Sequence, residues 1–317
     1  MILPLFLVAI GLAILVKGAD YLVMGSASIA KRFGVSSLVI GLTVVAFGTS
    51  LPELTVSVFA SLQGKSDITL GNVVGSNIAN ILLILGITSV LSLLPVKHST
   101  AWKEIPFSLL AILAVGFLGA DVFFGQGSAN IISQGDGVIL IFFFIIFLYY
   151  VANISKTEEN DDTGITKYSN WMSSLMILGG LAGLMIGGKM FVDGAVDIAK
   201  YFGMSERIIG LTIVAIGTSM PELVTSIVAA RKGQNDIAVG NIVGSNIFNI
   251  FWILGFSAII NPVTLGANSF IDIAMCVAAT VVLFLALFIG QKNKLERWQG
   301  VLFIMVYSGY VVYLIQN

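Results

Sequence analysis

The stretch GLTVVAFGTSLPE at residues 41–53 returns as GLTIVAIGTSMPE at residues 210–222, and this repetition decides the fold. Over the 17 residues that begin at these two points, the copies share 12 identities at a constant offset of 169. A second block, GNVVGSNIAN at 71–80, matches GNIVGSNIFN at 240–249 in 8 of 10 positions. Similarity at a fixed offset indicates an internal repeat, so the chain consists of two related halves.

The surroundings of both copies are strongly apolar. Of the 317 residues, 57% are hydrophobic and 10% are charged, and the mean hydropathy is +0.99. Soluble domains average about 25% charged residues. The apolar runs do not alternate, as VILIFFFIIFLYYVA at 138–152 shows, so they fit membrane helices and not the strands of a β-barrel. The composition predicts an all-α membrane protein, and a net charge of −1 argues against nucleic acid as a partner.

Ten apolar stretches, separated by polar breaks, have a length suited to crossing a bilayer. Each half contains five of them, and with an odd number the second half enters the membrane from the opposite side. We therefore predict ten transmembrane helices as two inverted five-helix repeats, at 1–152 and 170–317, joined by a cytoplasmic linker at 153–169. The predicted spans are 2–17, 36–61, 69–94, 104–120, 135–152, 171–190, 207–230, 238–260, 269–290 and 298–315.

The distribution of lysine and arginine predicts the orientation in the membrane. Loops on the side of the linker carry 12 of the 16 basic residues, and loops on the other side carry 4. Because cytoplasmic loops are enriched in basic residues, we expect the linker in the cytoplasm and both termini outside the cell. The expected location is the plasma membrane, with the lipid bilayer as the surrounding partner.

Each copy of the first block interrupts a span with polar residues. Pro52 and Pro221 remove a backbone donor, and Gly48 and Gly217 lie just upstream, so both helices are expected to break near the membrane midplane. A broken helix is tolerated in a bilayer only where its carbonyls face protein or a wet cavity. The second block adds Ser and Asn side chains four residues apart, on one helical face. The candidate ligands are Glu53, Glu222, Thr49, Ser50, Thr218, Ser219, Ser76, Ser245, Asn80 and Asn249.

Carboxylates, hydroxyls and carbonyls are hard oxygen ligands, so these residues predict a cation site. Calcium takes about six to eight oxygens in flexible geometry, whereas magnesium demands a strict octahedron. Zinc and copper prefer His or Cys, and the chain has one of each, His98 and Cys276, outside both motifs. Two carboxylates can hold one divalent ion or more than one monovalent ion such as sodium. A site of this kind suits the exchange of one ion for the other.

The pair GTSLPE and GSNIAN, repeated as GTSMPE and GSNIFN, resembles the α-repeats of the cation/calcium antiporter superfamily, and closely those of prokaryotic sodium/calcium exchangers. The resemblance covers both halves in order. It implies a ten-helix antiporter that exchanges sodium for calcium by alternating access, with the first and sixth helices as sliding gates. Glu53 and Glu222 would be the central ligands, and Ala46 and Ala215 would supply backbone carbonyls. Some relatives place Asp where Asn249 stands, so potassium dependence is less expected here.

Two other transport functions stay open from the sequence. Proton-coupled relatives also use membrane glutamates, so the exchange of protons for calcium or another divalent cation is an alternative. A cation channel is a further one, because oxygen ligands also line selectivity filters. An enzyme is not expected, since the chain has no Ser-His or Cys-His set, and no cofactor is implied beside the transported Ca2+ and Na+. The oligomeric state stays open, although one chain contains both halves of the site.

Overall fold

The computed structural model describes residues 2–125, 127–154, 166–204 and 215–316. In this part of the chain, eight helices are long and apolar enough to cross a membrane, or nine if one bent pair counts as a single span. The first residues of the predicted span at 207–230 lie outside the described residues, and so does most of the predicted linker. The protein is an all-helical membrane protein.

In the described ranges four helices contain a π-helical turn, and both candidate asparagine ligands lie in such turns. Asn80 begins the turn Asn80–Ile84, and Asn249 lies in the turn Phe248–Leu254. Such turns are frequent at functional sites. The helices are α1 (Ile2–Phe33), α2 (Ser37–Thr49), α3 (Leu51–Leu62), α4 (Ser66–Leu91), α5 (Thr100–Leu118), α6 (Gln134–Ile154), α7 (Asn170–Tyr201), α8 (Ala215–Thr218), α9 (Met220–Arg231), α10 (Asn235–Ile260), α11 (Ala267–Ala286) and α12 (Arg297–Gln316).

The two Pro-Glu stretches interrupt their helices where the sequence predicts. α2 and α3 meet at Ser50 with a bend of 49°, and α8 and α9 meet at Ser219. The two serines have nearly the same backbone angles, φ −83° and ψ 7° against φ −87° and ψ 7°. Pro52 and Pro221 lie in the first turn of α3 and α9, where the missing N–H leaves no helical hydrogen bond unmade. The glutamate that follows each proline therefore lies in the first turn of a new helix.

The central layer is formed by α4 and α10. In their most apolar windows 78% and 83% of the residues are buried, against 22–39% in the other candidate spans. α10 packs closely on α2 because glycine removes the side chain at the contact. A Cβ added at Gly244 would lie 2.8 Å from both the Leu42 carbonyl oxygen and the Ala46 Cβ. The second repeated block thus lies on the two most enclosed helices.

Two helices, α1 and α7, pack against each other as an antiparallel pair with their backbones in contact. A Cβ added at Gly11 would lie 2.8 Å from the Gly187 carbonyl oxygen, and one at Gly18 would lie 2.8 Å from that of Gly180. Each helix has 32 residues, about 48 Å at ~1.5 Å per residue, so a hydrocarbon core of about 30 Å requires tilting. The spans predicted for them were too short at their C-terminal ends.

Two short strand pairs connect loops of the first half to loops of the second. β1 (Leu94–Pro95) pairs with β4 (Lys294–Leu295), and β2 (Ile131–Ile132) pairs with β3 (Val263–Thr264). Both pairs are antiparallel and only two residues long. The strands clamp the two halves together outside the helical core and leave the helical class unchanged.

Candidate ion-binding site

Two buried glutamates, one from each half, share a single polar cluster. Glu53 and Glu222 are each 1% exposed. Ser50 Oγ donates to Glu222 Oε1 at 3.1 Å, and Ser219 Oγ donates to Glu53 Oε1 at 3.2 Å. The serine at each helix break therefore contacts the glutamate that follows the other break. Neither half forms this arrangement alone.

Serines of the central helices lie beside the carboxylates. On α10, Ser245 Oγ lies 3.5 Å from Glu222 Oε1 and 3.4 Å from the Ala46 carbonyl oxygen. On α4, Ser76 Oγ lies 3.5 Å from the hydroxyl of Ser219. Hydrogen bonds of this length are weak. These oxygens can therefore exchange their present partners for a cation at small cost.

Four asparagines of the central helices form an amide group that bridges the halves. Asn80 Nδ2 donates to Asn246 Oδ1 at 2.9 Å, and Asn249 Nδ2 donates to Asn77 Oδ1 at 3.0 Å. Asn77 Nδ2 also donates to the Asn246 carbonyl oxygen at 3.0 Å. All four side chains are buried. Because the amide nitrogens are engaged in these bonds, the oxygens of Asn80 and Asn249 are turned away from them.

Four buried side-chain oxygens of the site have no hydrogen-bond partner among the described residues. They form two pairs related by the 169-residue offset, namely Glu53 Oε2 with Glu222 Oε2 and Asn80 Oδ1 with Asn249 Oδ1. A buried acceptor left without a partner costs about 1–3 kcal/mol, and a charged one costs more. All four atoms are hard oxygens, which a cation such as Ca2+ or Na+ can coordinate.

The electrostatics of the site also favour a cation. Within the described ranges, neither Glu53 nor Glu222 takes part in an ion pair with a basic residue. Two ionised carboxylates in a buried place repel each other and lose their hydration, and both costs fall when a positive charge lies between them. The arrangement can therefore bind and release cations. Its two carboxylates together can balance about two positive charges.

Fewer contacts describe the positions of the remaining predicted ligands. Thr49 is fully buried, and its hydroxyl lies 3.5 Å from Ser245 Oγ. Thr218 ends α8 and is half-buried, and Ala215 begins the same helix. The carbonyl of Ala46 faces the hydroxyl of Ser245 on α10, as described above. The contribution of the Ala215 carbonyl stays a prediction.

Two asparagines that the sequence analysis did not single out contact the backbone of the glutamates. Asn72 Nδ2 donates to the Glu53 carbonyl oxygen at 3.1 Å, and Asn241 Nδ2 faces the Glu222 carbonyl oxygen at 3.4 Å. Both asparagines are present in the repeated second block and are related by the offset of 169. Identity between the two copies was thus a sufficient signal to find them.

Comparison with known proteins assigns the family. A family model described as sodium/calcium exchanger protein matches residues 3–153 and 172–316. The chain belongs to this family. Members of the sodium/calcium exchanger family are membrane antiporters and not enzymes, and the ions that they transport are Na+ and Ca2+. The resemblance inferred from the two repeated motifs is confirmed.

Relatives of this exchanger-family chain match it along nearly its whole length. The putative antiporter CaxA of Alkalimonas amylolytica is 38% identical, with 98% of both chains covered. The sodium/calcium exchanger MaX1 of Methanosarcina acetivorans is 36% identical, with 96% of both covered. The solved structure of the sodium-calcium exchanger NCX_Mj, soaked with 10 mM Na+ and zero Ca2+, matches with a TM-score of 0.84 at 35% identity, and 98% of each chain is covered.

Proposed function

We propose that this protein exchanges Na+ for Ca2+ across the membrane by alternating access, with both ions bound at the site between Glu53 and Glu222. The observation that carries the proposal is the reciprocal contact of Ser50 with Glu222 and of Ser219 with Glu53. Among the described residues, this contact leaves one oxygen of each carboxylate without a hydrogen-bond partner. The candidate ligands are the twelve residues inferred from the sequence, including the backbone carbonyls of Ala46 and Ala215.

The charge of the site explains why two kinds of ion compete for it. One Ca2+ neutralises two carboxylates, and so do two Na+ ions. Bare charges inside a membrane protein are costly. The protein therefore changes conformation readily only when the two glutamates are neutralised. That restriction couples the outward movement of one ion to the inward movement of the other.

Ten spans in two inverted repeats provide the symmetry that alternating access needs. The paired contacts at the 169-residue offset support this arrangement, because Ser50 and Ser219, as well as Asn72 and Asn241, contact equivalent glutamates. The two strand pairs also support the inverted arrangement, because each pairs one strand of the first half with one strand of the second. In this arrangement the linker is cytoplasmic, both termini are extracellular, and the protein lies in the plasma membrane.

Reconstituted transport tests the proposal directly. Proteoliposomes are loaded with Na+ and diluted into Na+-free choline medium that contains calcium-45, with K+-loaded vesicles and vesicles with a proton gradient as comparisons. We expect uptake that requires internal Na+. Uptake driven by the proton gradient alone would assign the protein to proton-coupled exchange, and uptake without any counter-ion would indicate a channel. Either of the last two results overturns sodium/calcium exchange.

One ion pair lies where alternating access requires a contact that opens and closes. Lys232 Nζ, just after α9, lies 2.7 Å from Asp20 Oδ1 on α1. The offset of 169 relates Asp20 to Lys189 and Gln63 to Lys232. In the described part of the chain, Lys189 pairs instead with Asp193 of its own helix, at 3.9 Å. Of these two lysines, Lys232 pairs with another helix and Lys189 with its own, and this asymmetry fits a conformation closed at the Lys232 end.

Neutralising this ion pair is expected to favour the conformation that is open at the Lys232 end. We predict that Lys232→Gln increases the rate at which a hydrophilic thiol reagent modifies Thr225→Cys by up to about fivefold, since an exposed ion pair contributes up to about 1 kcal/mol. Thr225 is fully buried two helical turns before Lys232, and native Cys276 is 1% exposed and gives little background. The reversed pair Asp20→Lys with Lys232→Asp should restore protection. Equal rates in all variants contradict the prediction.

A further inference from the structure

The side chain of Asn241 connects the two halves of the site without being one of its predicted ligands. It is fully buried on α10. Its Nδ2 faces the Glu222 carbonyl oxygen at 3.4 Å and donates to Ser226 Oγ at 3.1 Å. Its Oδ1 accepts a hydrogen bond from Thr49 Oγ1 at 2.9 Å. One amide thus joins the helix of Glu222 to the threonine at the end of α2, in the first half.

The chemistry of the partners fixes the orientation of this amide. The carbonyl oxygen of Glu222 can only accept, so the atom of Asn241 that faces it is the NH2 group. The amide oxygen then faces Thr49, and since an amide oxygen can only accept, Thr49 is the donor. A threonine hydroxyl has one hydrogen. Asn241 therefore takes the only hydrogen that Thr49 can donate.

The hydrogen of Thr49 has two other acceptors within reach, and both belong to candidate ligands: the Ala46 carbonyl oxygen and, at 3.5 Å, Ser245 Oγ. Thr49 Oγ1 lies 3.3 Å from the Ala46 carbonyl oxygen, a longer contact than the one to Asn241. When the hydrogen points at Asn241, Thr49 Oγ1 keeps its lone pairs for a cation, and the Ala46 carbonyl is approached only by the weak donor Ser245 at 3.4 Å. When it points at Ala46, the carbonyl is partly blocked. The direction of one O–H bond thus decides whether two oxygens serve as ligands.

We infer that Asn241 is a positioning residue that holds the Thr49 hydroxyl as an acceptor toward the transported cation. It touches no ion itself and acts through Thr49 and Ala46. Its counterpart Asn72 makes the equivalent donations in the other half, to the Glu53 carbonyl oxygen at 3.1 Å and to Ser57 Oγ at 2.9 Å. The inference rests on the cation site proposed above and adds the group that sets the polarity of its hydroxyls.

The substitution Asn241→Ala tests the inference through cation affinity. Residues that orient a ligand typically change metal affinity by about 10–100-fold when removed, and we expect a loss of that size in apparent Ca2+ and Na+ affinity. Affinity is measured as the cation-dependent rise in melting temperature of the purified protein and as the KM of exchange, with Vmax measured separately. Asn261→Ala is the matched control, because Asn261 Nδ2 also donates to a backbone carbonyl between helices, that of Ser61 at 3.2 Å.

A double-mutant cycle with Thr49→Val separates positioning from a structural role. Thr49→Val keeps the side-chain shape and removes the hydroxyl, so it should lower cation affinity as much as Asn241→Ala does. In the Thr49→Val background, Asn241→Ala should then add less than about threefold, because coupled residues are not additive. Full additivity, unchanged affinity in Thr49→Val, or a lower melting temperature at unchanged affinity overturns the inference. If the unmodified protein gives no cation-dependent shift, the proposed function itself fails.

Discussion

Replacing Glu53 with glutamine is expected to abolish sodium-dependent calcium uptake while the protein stays folded. Glutamine keeps the shape of the side chain and can still accept from Ser219, but the site loses one of its two negative charges. Two unit charges at 4 Å interact by about 4 kcal/mol at an effective dielectric constant of 20. A loss of that size weakens binding by about 1,000-fold. Calcium-45 uptake into Na+-loaded proteoliposomes measures the effect, together with calorimetric titration of Ca2+.

The same loss is expected for Glu222→Gln, because the two carboxylates have reciprocal serine partners and equal burial. Asp67→Asn is the matched control, since Asp67 is an exposed acidic residue of the repeat in the first turn of α4. We expect near-normal uptake from the control. Near-normal uptake from either glutamine variant would falsify the assignment of the central site. A variant that aggregates is distinguished by its elution from a gel-filtration column.

The sequence was sufficient for the parts of this site that depend on local chemistry. Gly, Ser and Pro before each glutamate predicted the two helix breaks, and these lie at Ser50 and Ser219. The repeat predicted that the two glutamates belong together, because two copies of one motif imply one site with two contributions. The first inference needs only the residues next to each glutamate, and the second needs only the comparison of the two halves of the chain.

The contacts between helices could not be predicted in this way. That Thr49 donates to Asn241 depends on α10 lying against α2, which no local pattern of residues reveals. The ends of α1 and α7 were misplaced for a related reason. The first predicted span ended at Lys17, but the helix continues to Phe33, and its close glycine contacts with α7 continue to Gly25.

The close contact of α1 and α7 leads to a second large expected effect, from the addition of a single methyl group. A Cβ at Gly180 would lie 2.6 Å from the Leu22 backbone nitrogen and 2.7 Å from the Gly18 carbonyl oxygen. Backbone atoms in a helix cannot move aside as a flexible side chain can, so Gly180→Ala must push the two helices apart. Such overpacking typically costs about 1–3 kcal/mol or more. We predict a melting temperature in detergent lower by about 5 °C or more, and a slower exchange rate.

The neighbouring glycine, Gly179, provides a matched control. Gly179→Ala has the same effect on helix propensity as Gly180→Ala but adds no contact between the helices. Gly179 lies on the same helix, is exposed, and has no described atom within 4 Å of an added Cβ. Replacement of glycine by alanine favours a helix by about 1 kcal/mol at either position, so Gly179→Ala should be neutral or stabilising. The difference between the two variants therefore measures the contact alone. Equal melting temperatures and equal exchange rates would show that α1 and α7 can separate freely. The close glycine contact would then not hold the two helices together as one unit during transport.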